Sequence, residues 1–153
     1  MSFWKHKKPI QTNHPDFGAL EYTGESRWTG KTVFRPENIQ VGISLPGNET
    51  GPDSFCASEF SNLELVYPTV RKTIATELAR IVSDHQSQFA DDPETDVVIH
   101  QPENVWAALS LISIDIHGEN VYALTYCFAD SNDDSLFSIA FINGAISAEY
   151  LGD

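Results

Sequence analysis

The chain has 153 residues, 41% hydrophobic and 11% aromatic, with a formal net charge of −13. That length fits one domain burying roughly 70% of its unfolded surface. No run of about 18 apolar residues occurs, which excludes a helical membrane span, and the surplus of acid argues against nucleic acid, whose binding rests on cations meeting phosphates.

The charge is unevenly spread. Residues 1–80 hold nine acidic and nine basic side chains, whereas residues 81–153 hold thirteen Asp and Glu and no Lys or Arg. Such a field keeps a protein soluble at some cost in self-repulsion, and it speeds encounter with a basic partner. The N-terminal Met1-Ser-Phe-Trp-Lys-His-Lys-Lys8 is basic but lacks the apolar stretch of a signal peptide. Residues 1–13 read as a flexible basic tail, residues 14–153 as a single domain, and the cytoplasm as the default location. Cys56 and Cys127 read as free thiols in an unpaired, reduced setting.

After the tail, Phe17–Tyr22 and Arg27–Phe34 read as strands joined by the turn residues Thr23-Gly24-Glu25-Ser26. Arg35-Pro36-Glu37-Asn38 turns the chain again. Ile39, Val41, Ile43 and Leu45 then alternate with Gln40, Gly42 and Ser44, a strand with one buried face. The three strands form an antiparallel meander. Residues 46–53 are a loop by their Gly and Pro content, and Ser54 is placed to cap a short helix in which Cys56, Phe60, Leu63 and Tyr67 share a face.

The long helix runs from Val66 to Phe89. Val66, Val70, Ile74, Leu78, Ile81, Val82, His85 and Phe89 recur at steps of three or four, with charged residues opposite. Pro68 falls in its first turn, where no backbone donor is needed. Three threonines make packing rather than propensity its support. Asp91, Asp92, Glu94 and Asp96 sit in a solvated loop that ends it.

The last third returns to strands. Pro102–Ala108 begins with a helical turn. Leu111–Ile116 and Val121–Phe128 flank His117-Gly118-Glu119-Asn120, and an even-length turn sets Ile116 opposite Val121, with Ile112, Ile114 and Ile116 on one face with Val121, Ala123 and Thr125. Asn143-Gly144 is the strongest two-residue hairpin signal, since a type I′ turn needs positive φ at both positions. It pairs Phe141 with Ile146, Ile139 with Ala148 and Phe137 with Tyr150 on the core face.

Catalytic and ligand-binding patterns are missing. Gly24-Glu-Ser-Arg-Trp-Thr-Gly30-Lys31-Thr32 has one residue too many for a phosphate-binding loop and leads into a strand rather than a helix. Asp130-Ser-Asn132-Asp133-Asp134 opens like a calcium loop but has Ser135 where glycine is required and Phe141 where the bidentate glutamate belongs. His6, His14, His85, His100 and His117 show no metal-ligand spacing. His85 reads as a satisfied core residue, Cys127 as a small hydrophobe in a strand, and Trp28 and Trp106 as core residues that need a partner for the indole N–H. No cofactor is implied.

His14-Pro-Asp-Phe-Gly-Ala-Leu-Glu-Tyr22, then Trp28-Thr-Gly30, a central helix, and Val105-Trp106 leading into Leu111–Ile116 resemble a widespread group of small bacterial domains similar to the immunity proteins found beside polymorphic toxin genes. Members often carry an acidic-His-Gly segment before the penultimate strand, where this chain has Asn132-Asp133-Asp134-Ser135-Leu136. The resemblance implies a non-enzymatic immunity protein that occludes a cognate, basic toxin domain. The expected fold is α+β, an antiparallel sheet on one long and one short helix. The partner-binding residues expected from charge density are Asp91, Asp92, Glu94 and Asp96, or else Asp130, Asp133 and Asp134. The competing reading is a small hydrolase or metal-dependent enzyme, or else a structural adaptor.

Overall fold

A computed structural model describes residues 9–85, 102–129 and 134–152. In chain order it shows β1 (Gln11–His14), β2 (Gly18–Tyr22), β3 (Arg27–Phe34), β4 (Ile39–Asn48), the two-residue β5 (Gly51–Pro52) and α1 (Cys56–Asp84). A 3-10 turn (Pro102–Asn104) and the single-turn α2 (Val105–Ala108) follow, and then β6 (Leu109–Gly118), β7 (Val121–Phe128), β8 (Leu136–Ile142) and β9 (Ala145–Gly152). The strands form one sheet in the order β1-β2-β3-β4-β6-β7-β8-β9, with β5 paired to β4 off that path. The fold is α+β, as expected.

Two meanders make the sheet, and they meet at its only parallel pairing among the described residues, between β4 and β6. That join is three pairs long, Gly42–Ser113, Ile43–Ile114 and Ser44–Asp115. Arg27 on β3 stitches it. Its Nε donates to Ser44 Oγ on β4 (2.8 Å) and its Nη1 to the Ile116 carbonyl on β6 (2.9 Å), while the buried Nη2 has no partner.

One face of the sheet is covered by α1. Alternate residues of every central strand point into it: Trp28 and Phe34, Val41, Ile43 and Leu45, Ile114 and Ile116, Tyr122, Leu124 and Tyr126, and Phe137, Ile139 and Phe141. Leu63, Tyr67, Ile74, Leu78 and Val82 of α1 are buried against them. Trp28 is a core residue, and its indole N–H donates to the Asn48 carbonyl (2.8 Å).

Several sequence expectations change. The short and the long helix are one, 29 residues from Cys56, and Pro68 lies in its interior. Proline cannot donate to the carbonyl four residues back and costs about 3 kcal/mol inside a helix. Its ring is on the exposed side, and Thr69 Oγ1 donates to the Val66 carbonyl beside it (2.7 Å), so tertiary burial on the other face carries the helix through. Ser54 is not the N-cap. Phe55 occupies that position with no side-chain cap, and the Cys56 N–H is taken up by the Asp53 carbonyl (3.1 Å). Val66 lies at the solvent edge of the stripe, 40% exposed.

Order also begins earlier than expected. Gln11–His14 pair with Ala19–Glu21 and Gly18 as an edge strand, in what composition marks as a tail.

The β6–β7 register differs by one residue. Ile116 faces Tyr122, not Val121, because shifts between Leu111 and Ser113 and between Ile116 and Gly118 insert one extra residue each. A bulge swaps the faces on either side of it. Leu109 and Leu111 are therefore buried before the first bulge, Ile114 and Ile116 after it, and Ile112 is left 39% exposed. The β8–β9 hairpin matches its expected register at every named pair, with φ 50° at Asn143 and 86° at Gly144.

Candidate functional site

The strand directions place the β3–β4 turn, the end of α1, α2 and the connection from β7 to β8 at one end of the sheet. Of the acidic residues expected to bind a partner, Asp134 lies here and is exposed. Asp91, Asp92, Glu94, Asp96, Asp130 and Asp133 lie outside the described residues. The residues that bracket both acid-rich stretches are nevertheless brought together. The His85 ring, the last described group before the first stretch, is 4.7 Å from the Tyr150 ring, and Tyr150 Oη is 3.5 Å from Ser135 Oγ, just after the second. The other two brackets stand near this end as well, since the Ala129 N–H donates to the Ala108 carbonyl (2.8 Å) a few residues after Pro102. Sequence reading treats the two clusters as alternatives; the fold makes them neighbours at their roots.

A second feature at this end is a polar cluster between α1, the β3–β4 turn and α2. The Arg71 guanidinium on α1 donates to Glu37 Oε1 (2.6 Å) and lies over the Trp106 ring with 4.2 Å to its centroid. The buried hydroxyls of Tyr67 and Tyr126 are 3.1 Å apart, and Trp106 tilts against Tyr126 at 5.9 Å. Glu37, Tyr67, Trp106 and Tyr126, together with Ile39 and Leu109–Leu111, line a cavity of about 190 Å³. On the far side of Trp106, Pro68, Arg71, Lys72 and Ala75 face Pro102 and Glu103 across an open groove of about 550 Å³. Trp106 is therefore a half-buried bridge between helix and cavity rather than a core residue.

The electrostatics of the cluster suit anchoring. Hydrogen bonding to Glu37 raises the Arg71 pKa further, so the guanidinium stays charged. Burial pushes both phenols well up, with Glu37 adding to the effect, so Tyr67 and Tyr126 stay protonated at neutral pH. Burial acts on the thiols in the same direction. Cys56 is pushed up to about 11, first by burial and then by Asp53, and Cys127 is raised by burial. Both are free cysteines. His85 is satisfied, as expected: its Nδ1 donates to the Ile81 carbonyl (2.9 Å). Among the described residues no group of three His, Cys, Asp or Glu side chains could hold a metal ion.

A third polar group sits at the opposite end. Glu59 on α1 is buried, and its Oε2 accepts from the Asn120 backbone N–H (3.1 Å) and from the Tyr122 hydroxyl. It fastens the β6–β7 turn to the helix. Its position was visible in the sequence: Glu59 stands three residues after Cys56 and four before Leu63, on the apolar stripe where a carboxylate needs donors. No such signal marks Glu37 with Arg71, because they are 34 residues apart and meet only in the fold.

Compared with known protein families, with curated proteins and with solved structures, the chain matches none. No helix among the described residues is long and apolar enough to cross a membrane.

Proposed function

We propose that this chain acts by binding, presenting its acidic end to a basic protein partner, and that in its finer form it is a bacterial immunity protein that occludes a cognate toxin domain in the cytoplasm. The observation that carries the reading is the meeting of His85, Tyr150 and Ser135, which roots the two acid-rich stretches at adjoining points of one end. The supporting fact is compositional: no Lys or Arg follows residue 80. Arg80 itself is held by Glu77 (2.9 Å) and Asp84 (3.2 Å). An uncompensated field of this kind steers a basic partner and fixes its orientation more than it adds affinity. The reading without catalysis is supported by the raised thiols and phenols and by a cavity whose one charged lining group, Glu37, is already held by Arg71.

Charge reversal tests it. In one variant Asp91, Asp92, Glu94 and Asp96 become Lys; in a second Asp130, Asp133 and Asp134 do. The partner is the product of a neighbouring toxin gene, with association followed by surface plasmon resonance across a salt series. Slower association in both variants, with the difference shrinking as salt rises, is the expected result. Association that is independent of salt and unchanged in both variants sinks the electrostatic reading. A chromosomal neighbourhood without a toxin gene sinks the immunity form of it.

A further inference from the structure

The two margins of the sheet are built differently. β1 is four residues long and is flanked by Pro9 and Pro15, a short, blunted edge. β9 is eight residues long, with neither proline nor lysine in Ala145–Gly152. Its backbone pattern follows from the hairpin that precedes it. A two-residue turn makes Ile142–Ala145 a hydrogen-bonded pair, and such pairs alternate along an antiparallel ladder. Ala145, Ser147 and Glu149 therefore direct their N–H and C=O groups to β8, and Ile146 and Ala148 direct theirs outward. Among the described residues no strand adjoins β9 on that side, and no backbone group elsewhere pairs with Ile146 or Ala148. Their side chains are meanwhile half-buried against the core, so the edge is firmly held.

We propose that β9 is the docking edge for the partner: an extended basic segment adds to the sheet as a further strand, paired to the outward groups of Ile146 and Ala148. The inference rests on the acidic-end reading above and says which backbone the partner grips. Charge selects this occupant. Glu149 is exposed on the open face of β9, and the exposed Asp134 adjoins Ser135, which contacts Tyr150 of the same strand. Among the described residues neither carboxylate is held in a salt bridge. A second copy of this chain would instead bring another charge of −13 to the same seam. Strand addition takes its affinity from main-chain hydrogen bonds and its selectivity from alternate side chains, which here must be cationic on the open face.

The probe is a synthetic heptapeptide of alternating lysine and valine, compared with the same peptide N-methylated at alternate residues, which keeps the charge and loses the ladder. Binding is read by fluorescence anisotropy at low salt and by hydrogen exchange of the Ile146 and Ala148 amides. The expected result is fast exchange in the free chain, at least tenfold protection with the unmodified peptide, and at least tenfold weaker binding of the methylated one. Ala148→Pro should abolish the protection while the chain still melts cooperatively, because the lost N–H makes no bond to β8. Slow exchange of both amides in the free chain would show the edge already occupied and would overturn the proposal. Equal binding of both peptides would overturn it too, while leaving the basic-partner reading intact. Binding of neither would bring down both. Should Ala148→Pro fail to fold, the exchange measurement on the unmodified chain decides alone.

Discussion

The two hairpins of the C-terminal meander reach the same pleated geometry by different routes. In β8–β9 the turn is sufficient: Asn143 and Gly144 take the positive φ of a type I′ turn, and the pairs from Ile142–Ala145 to Phe137–Tyr150 run without a break. In β6–β7 two residues of β6 bulge out, and the turn at Asn120 is held from outside by Glu59 of α1. One hairpin carries its own specification; the other is completed only by the helix. A local rule therefore reads the first from sequence and misreads the second by one residue.

Removing the support common to both should have the largest effect. Leu78 is fully buried in α1. Leu78→Ala should destabilise the chain by roughly 2–5 kcal/mol in urea unfolding, the usual range for emptying a packed core site. A loss below about 1 kcal/mol would mean that α1 supports neither hairpin. Next comes Glu59→Ala, which leaves the buried Tyr122 hydroxyl and the Asn120 N–H without their acceptor and should cost about 2 kcal/mol. Hydrogen exchange should quicken at the β6–β7 turn and not at Asn143–Gly144; a uniform change would erase the distinction between the hairpins. Gly144→Ala is smaller, about 1 kcal/mol, from the strain of a side chain at φ 86°. Its effect on exchange should stay within β8–β9.

The smallest effect is on pH dependence. Burial raises Tyr122, with Glu59 adding to the shift, and Cys56 is pushed up to about 11 from 9.0. The folded chain thus holds these protons more tightly than the unfolded one. Their contribution is complete below about pH 9 and is lost as pH rises through the folded values. The urea midpoint should fall above that pH, and Tyr122→Phe should flatten the decline; a midpoint constant to pH 11 would remove the anchor from the account.

What was legible in the sequence follows the same division. Period-two alternation marked β4, turn residues bounded β2, β3 and β7, and Asn143-Gly144 set a register for β8 and β9, because these are facts about neighbouring residues. Pro68 misled, since its helix penalty is real but smaller than the burial of Leu63, Tyr67, Ile74 and Leu78 on the other face. The bulges at β6 left no local mark. Of the expected site, Asp134 alone falls among the described residues, and that its cluster and the one after α1 share an end follows from Tyr150, a residue that nothing in the sequence sets apart. Arg71, Glu37 and Trp106 were each visible, but their meeting was not.

Arg27 has a kinetic meaning beyond its hydrogen bonds. Each meander pairs strands that follow one another in sequence and is an object of low contact order, whereas the three-pair parallel join of β4 and β6 spans about seventy residues of chain and repays its loop-closure entropy only when complete. The guanidinium on β3 bonds Ser44 within its own meander and the Ile116 carbonyl across the join, so the second contact forms only when the two halves dock. The fold is thus two quick, local assemblies awaiting one slow encounter, and Arg27 is the latch that closes behind it.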